Sequence, residues 1–123
     1  MSLSDFSAEE LTGILDRADW LRVAWRHNQM PLSLQNNRVG LWFYGQGFRN
    51  RVAFELGAKA MGATVSYIPG ELGVNEPLED IASYLNNWFS MLVIRAKKHQ
   101  DLLFLASRSK IPVINARTDR GHP

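Results

Sequence analysis

Residues 42–71 read WFYGQGFRNRVAFELGAKAMGATVSYIPGE, and the fold class turns on them. The short apolar run Val39 to Tyr44 ends at Gly45-Gln46-Gly47. A run so uniformly apolar is the pattern of a strand buried on both faces. From about Arg49 to Met61 the spacing turns helical, with Val52, Leu56 and Ala60 expected on one face and Gly62 as the terminator. Ala63 to Ile68 reads as a second strand, closed by Pro69-Gly70. Strand, helix and strand make one βαβ unit.

Outward from this unit the alternation continues. Upstream, Ser7-Ala8-Glu9-Glu10 is a capping box, followed at helical spacing by Leu11, Ile14, Leu15, Ala18 and Leu21 to about Trp25. Downstream, Pro77 suits a helix first turn, and Leu78, Ile81, Ala82 and Leu85 form its buried stripe. Met91 to Ile94 is a third strand, Asp101 to Ser107 a fourth helix and Val113 to Asn115 a fourth strand. The expected fold is α/β: a single three-layer domain with a parallel β-sheet of four or more strands and helices on both faces.

Composition narrows the class of function. With 46% hydrophobic and 21% charged residues over 123 positions, the chain has enough apolar surface for one core. A net charge of +2 is too small to point to nucleic acid. The absence of cysteine excludes disulfides, thiolate metal sites and a cysteine nucleophile within the chain. No apolar stretch approaches the roughly 18 residues of a membrane span. Met1-Ser2-Leu3-Ser4-Asp5 shows no signal-peptide pattern, so a cytoplasmic location is expected.

In parallel sheets ligands sit beyond the strand carboxyl ends. Those ends are Gly45-Gln46-Gly47, Glu71, Arg95 and the segment from Arg117 to His122. Arg49 and Arg51 stand at a helix amino end, where the backbone dipole disfavours cations unless an anion lies between. A solvated pair beside a plain glycine turn is the alternative for this segment. Arg95, at the same sheet edge, adds a third cation and favours an anion such as phosphate, whose oxygens match a guanidinium fork. His99 reads as an exposed loop histidine, an acid–base group or a metal ligand, and His122 shares the ambiguity. His27 sits in a surface connection, and the three histidines lack metal-ligand spacing. No metal and no cofactor are expected. A dinucleotide fingerprint lacks its third glycine, where Asn50 stands, although Glu71 after the second strand could play its ribose-binding acid; no Gly-Lys-Ser/Thr of a Walker loop opens the helix.

Arg49-Asn50-Arg51-Val52-Ala53-Phe54-Glu55 resembles the carbamoyl-phosphate motif of the aspartate and ornithine carbamoyltransferases, usually Ser-Thr-Arg-Thr-Arg followed by Val/Thr-Ser-Phe-Glu. The resemblance runs on through ELGAKAMGA (55–63), NEPLEDIASYL (75–85) and LVIRAKKHQDL (92–102) to PVINARTDRGHP (112–123). It implies carbamoyl phosphate, or another small anion, as ligand. By position it implies that Gly47, Phe48, Arg49, Asn50, Arg95 and His122 form the binding site. Arg49 and Arg95 would hold the phosphate, and His122 would polarise the carbamoyl carbonyl for amine attack as the catalytic group. Arg51 corresponds to the second motif arginine, which is more often structural. The family also implies a homotrimer.

The departures carry weight of their own. Gly47, Phe48 and Asn50 stand where the family has Ser, Thr and Thr, and each lost hydroxyl costs about 1 kcal/mol where its oxygen partner stays buried. The loop Glu71-Leu72-Gly73-Val74-Asn75-Glu76 has no lysine, whereas aspartate-type enzymes send one into a neighbouring site. The chain reaches His122-Pro123 without the next motif glutamine or the amino-acid-binding second domain, so this chain alone is not expected to be active. Joined to that domain, it would transfer a carbamoyl group to an amino-acid amine. The alternative is a non-catalytic relative that binds another anion or serves as an oligomerisation or interaction module.

Overall fold

Ser7 opens the first helix by a reciprocal exchange. Its hydroxyl accepts the Glu10 N–H at 3.2 Å, and the Glu10 carboxylate accepts the Ser7 N–H at 2.8 Å. Helix α1 (Ala8–Arg26) follows. The computed structural model describes residues 5–121. Its chain divides into two compact units, one up to Pro31 that contains α1, and one from Leu32 onward that contains all the strands.

The second unit runs β1 (Arg38–Phe43), α2 (Phe48–Ala60), β2 (Thr64–Pro69), α3 (Leu78–Trp88), β3 (Met91–Arg95), α4 (His99–Arg108) and β4 (Val113–Arg117). Its strands form one sheet in the order β2-β1-β3-β4, and every pairing is parallel. Central position explains composition: Leu41, Leu92 and Ile94 in the two inner strands are wholly inaccessible, while the edge strand β2 has no buried residue.

Side-chain alternation divides the core into two layers. Val39, Leu41 and Phe43 of β1 face one side with Val93 and Ala116, covered by Phe54 and Ala58 of α2. Leu92 and Ile94 face the other side, covered by Ile81, Ala82 and Leu85 of α3 and by Leu102 and Leu105 of α4. Helices therefore lie on both faces of the parallel sheet, as expected. Gly40 is required for close packing, because a Cβ there would stand 2.8 Å from Leu92 Cδ2 and 3.2 Å from the Phe89 ring. Gly62 is required twice over, by a φ of +91° and by the Gln35 backbone 3.2 Å from where its Cβ would be.

Some helix details differ from expectation or go beyond it. The shared face of Val52, Leu56 and Ala60 on α2 is not the one that meets the sheet; Val52 and Leu56 are exposed, and Phe54 and Ala58 pack there. Both stripes are apolar at helical spacing, so periodicity does not separate them, and the Asn50 amide, bonded to the Ala116 carbonyl at 3.2 Å, helps set the helix rotation. Helix α4 begins at His99 rather than Asp101, because the Asp119 carboxylate accepts the His99 N–H at 2.7 Å and so supplies a cap from a distant turn. That also removes His99 from the loop where it was expected. Pro77 stands one position before α3 as its N-cap, with ψ of 140°.

Candidate functional site

Strand order places the switch point between β1 and β3. From β1 the chain departs towards β2 and from β3 towards β4, so the two exits diverge and leave a crevice at their carboxyl ends. The β1 exit is Tyr44-Gly45-Gln46-Gly47 leading into α2, and the β3 exit is Arg95-Ala96-Lys97-Lys98 leading into α4. The Tyr44 N–H donates to the Arg95 carbonyl at 2.8 Å, which ties the two exits together.

The amino end of α2 has no side-chain cap and no acidic residue in its first turn. Its amides and dipole are therefore left without a local counter-charge. Gly47 is the N-cap, and the Arg95 side chain lies directly against it: a Cβ on Gly47 would stand 2.8 Å from Arg95 Cζ and 3.0 Å from Cδ. Arg95 is half-buried, and among the described residues no carboxylate pairs with it. A guanidinium at a bare helix amino end is a donor array for a tetrahedral anion.

The remaining expected residues divide sharply. Arg49 and Phe48 are exposed in the first turn of α2, Phe48 at 68%. Asn50 turns its amide to Ala116 O, so its side chain serves the α2–β4 contact. Arg51 lies over the Tyr67 ring, 4.5 Å from Cζ to the centroid, against β2. His122 lies outside the described residues. Gly47 and Arg95, both expected site residues, are in direct contact.

A second network at the same edge escaped the sequence reading. His99 Nδ1 is 2.9 Å from the Thr118 hydroxyl, Thr118 is buried, and its N–H donates to Gly121 O at 2.7 Å. With the Asp119 cap, this fixes the turn after β4 to the amino end of α4. The only available signal was Thr118-Asp119 four positions after an apolar run, a common surface pattern. On another rim, Lys97 lies 3.8 Å from Glu71 and over the Tyr44 ring. A cavity of about 730 Å³ is walled by Trp42, Ile68, Tyr84 and Trp88, and it takes no residue from Gly45 to Arg51 and not Arg95. The cation-bearing crevice, not this hollow, has the chemistry of an anion site.

The family model for the carbamoyl-P binding domain of aspartate/ornithine carbamoyltransferases matches residues 1–123. The chain belongs to this carbamoyltransferase family. Ornithine carbamoyltransferases of Ignicoccus hospitalis and Methanosphaera stadtmanae are each 35% identical to it across the whole chain, which spans 41% and 40% of their lengths. The solved ornithine carbamoyltransferase of Pyrococcus furiosus superposes with a TM-score of 0.91 at 27% identity, over 99% of this chain and 40% of that one. The mitochondrial enzyme of Coccidioides immitis gives 0.90 at 29%, over 100% and 41%. The chain thus spans about two-fifths of the length of the carbamoyltransferases it matches.

Proposed function

We propose that this chain is the carbamoyl-phosphate-binding half of a carbamoyltransferase that acts on an amino-acid amine, with ornithine ahead of aspartate as acceptor. The observation that carries the reading is Arg95 set against the uncapped amino end of α2, at the switch point of a domain with this ancestry. The phosphate would sit on the α2 amides and the Arg95 guanidinium, with the exposed Arg49 swinging in on binding. His122 would polarise the carbamoyl carbonyl, and a second, amino-acid-binding domain would present the amine. The protein would work in the cytoplasm as a homotrimer.

Calorimetry with carbamoyl phosphate or phosphonoacetate, on this chain and on Arg49→Ala, tests the reading. Binding by the wild-type chain that weakens in the variant is the expected result. Equal heats, or no binding at millimolar ligand, would overturn it. Light scattering tests the trimer separately.

A second reading draws on Phe48 and Asn50. Phe48 is largely exposed where the family has a hydroxyl, and the Asn50 amide is committed to Ala116 O. Both favour a relative that has left catalysis and keeps an anion-binding or interaction role. It becomes the better reading if the carbamoyl-phosphate titration is silent.

A further inference from the structure

Strands β3 and β4 run in step and then fall out of it. The Leu92 N–H bonds Pro112 O at 2.9 Å, and the same spacing four residues on would bring the Ala96 N–H to Ala116 O. It bonds Arg117 O instead, at 3.0 Å, and the register passes from Ile94 with Asn115 to Arg95 with Arg117. Ala116 is therefore the extra residue of a β-bulge, and its carbonyl leaves the ladder. The residue is wholly inaccessible, so a carbonyl left bare there would be costly. The Asn50 amide supplies the partner at 3.2 Å, from the first turn of α2. The bulge also redirects the chain. Ala116 packs in the layer under α2, and in an unbroken strand Thr118 would face the same way. It turns to α4 instead, where its hydroxyl meets His99. The turn then folds back on β4, so that a Cβ on Gly121 would stand 3.3 Å from Asn115 Nδ2.

We infer that Asn50 is a positioning residue, whose bond to the bulge carbonyl holds the 118–121 turn in place against the amino end of α2. The inference rests on the proposed function and changes what Asn50 does in it. The resemblance puts Asn50 among the ligand contacts, in the place of a threonine. Its amide donor is committed within the fold, so it acts on a bound anion through the backbone it ties. Without the tie, the α2 end and the turn would spend less time in the binding-competent arrangement, and apparent affinity falls with that fraction.

The ligand-contact and positioning roles predict opposite signs for Asn50→Thr, which installs the family's residue. A ligand contact at position 50 gains a hydroxyl, and binding tightens. A positioning residue loses its amide donor to Ala116 O, and binding weakens by about fivefold. The probes are carbamoyl phosphate and inorganic phosphate, titrated calorimetrically into the folded wild-type chain and Asn50→Thr. A purely structural residue would lower the urea midpoint and leave the affinity of the folded chain unchanged, so equal or tighter binding overturns the inference. Asn50→Asp isolates the donor and needs no ligand. Its carboxylate, ionised at about pH 7, cannot donate to Ala116 O; protonated at about pH 4, it can. Amide exchange in the 118–121 turn, taken relative to wild type at the same pH, should be several-fold faster in Asn50→Asp at the higher pH and equal at the lower. An unchanged rate at the higher pH, or an acceleration that persists at the lower, also overturns the inference. Should the wild-type chain bind neither probe, the functional reading fails by itself, and exchange in Asn50→Asp decides whether Asn50 holds the turn. The same measurement decides if Asn50→Thr unfolds.

Discussion

The Arg51 guanidinium lies over the ring of Tyr67, joining the first turn of α2 to edge strand β2 from the side away from Arg95. The two motif arginines nearest the switch point are thus divided, with Arg49 exposed and Arg51 stacked. Arg51 Nε is buried without a hydrogen-bond partner among the described residues, so the ring is its main compensation.

A double-mutant cycle of Arg51→Met and Tyr67→Leu, followed by urea unfolding, should return a coupling energy of about 0.5–1 kcal/mol. A coupling near zero would mean that the stack contributes nothing to holding α2 on β2.

Removing the cap of α4 should act at a distance. Asp119→Ala leaves the His99 N–H without its 2.7 Å acceptor and should destabilise the chain by about 1 kcal/mol, within the 0.5–2 kcal/mol of helix caps. Hydrogen exchange should show faster opening at the first turn of α4 and in the 118–121 turn together. Loss of protection in only one of them would show that the two are not coupled.

How much of this was legible depends on what each residue answers to. The inner strands β1 and β3 were readable because burial on both faces leaves no room for polar residues, and their boundaries moved by about one position. The start of α1 was readable because Ser7 and Glu10 are local partners. The start of α4 was not, because its cap comes from Asp119, 20 residues away. The buried face of α2 was not legible for a similar reason: Asn50 bonds Ala116 across 66 residues, and nothing within the helix records it. In the site, the chemistry of Arg95 at a strand end was visible, but its contact with Gly47 was not. A glycine shows that a side chain is missing, not which neighbour fills the space.

Leu105 is fully inaccessible in the layer between α4 and the sheet. Leu105→Ala should cost about 2–5 kcal/mol, read as a lower urea midpoint with an unchanged slope. The exposed Leu103 on the same helix should tolerate alanine with a change within about 0.5 kcal/mol. Similar costs at both positions would contradict the assignment of the buried face.

Acid should expose the contribution of Glu55. Its carboxylate is held below the usual range by the hydrogen bond from Lys59 at 2.6 Å and by that ammonium's charge, with Arg51 adding to the effect. A lowered folded pKa gives stability that is present above the unfolded value and lost as pH falls through the folded one. Wild type should therefore exceed Lys59→Met in urea midpoint at about pH 7, and the difference should shrink towards zero at about pH 3. A difference that stays constant across that range would assign the effect to packing of the lysine stem.

The strand order also sets a timetable for synthesis. β1 takes β2 as its nearer neighbour along the chain, while Arg38 reaches its bond with Ser90, at the mouth of β3, across 52 residues. As the chain leaves the ribosome, β1, α2 and β2 can zip together early, but the other flank of β1 keeps its backbone donors and acceptors open until β3 emerges. At roughly 5–20 residues per second, that flank waits for one to several seconds, with the apolar side chains of β1 only half covered. Neighbouring nascent chains on one messenger offer the same open flank, so the interval favours pairing between copies. Slow codons between β2 and β3 would lengthen that exposure.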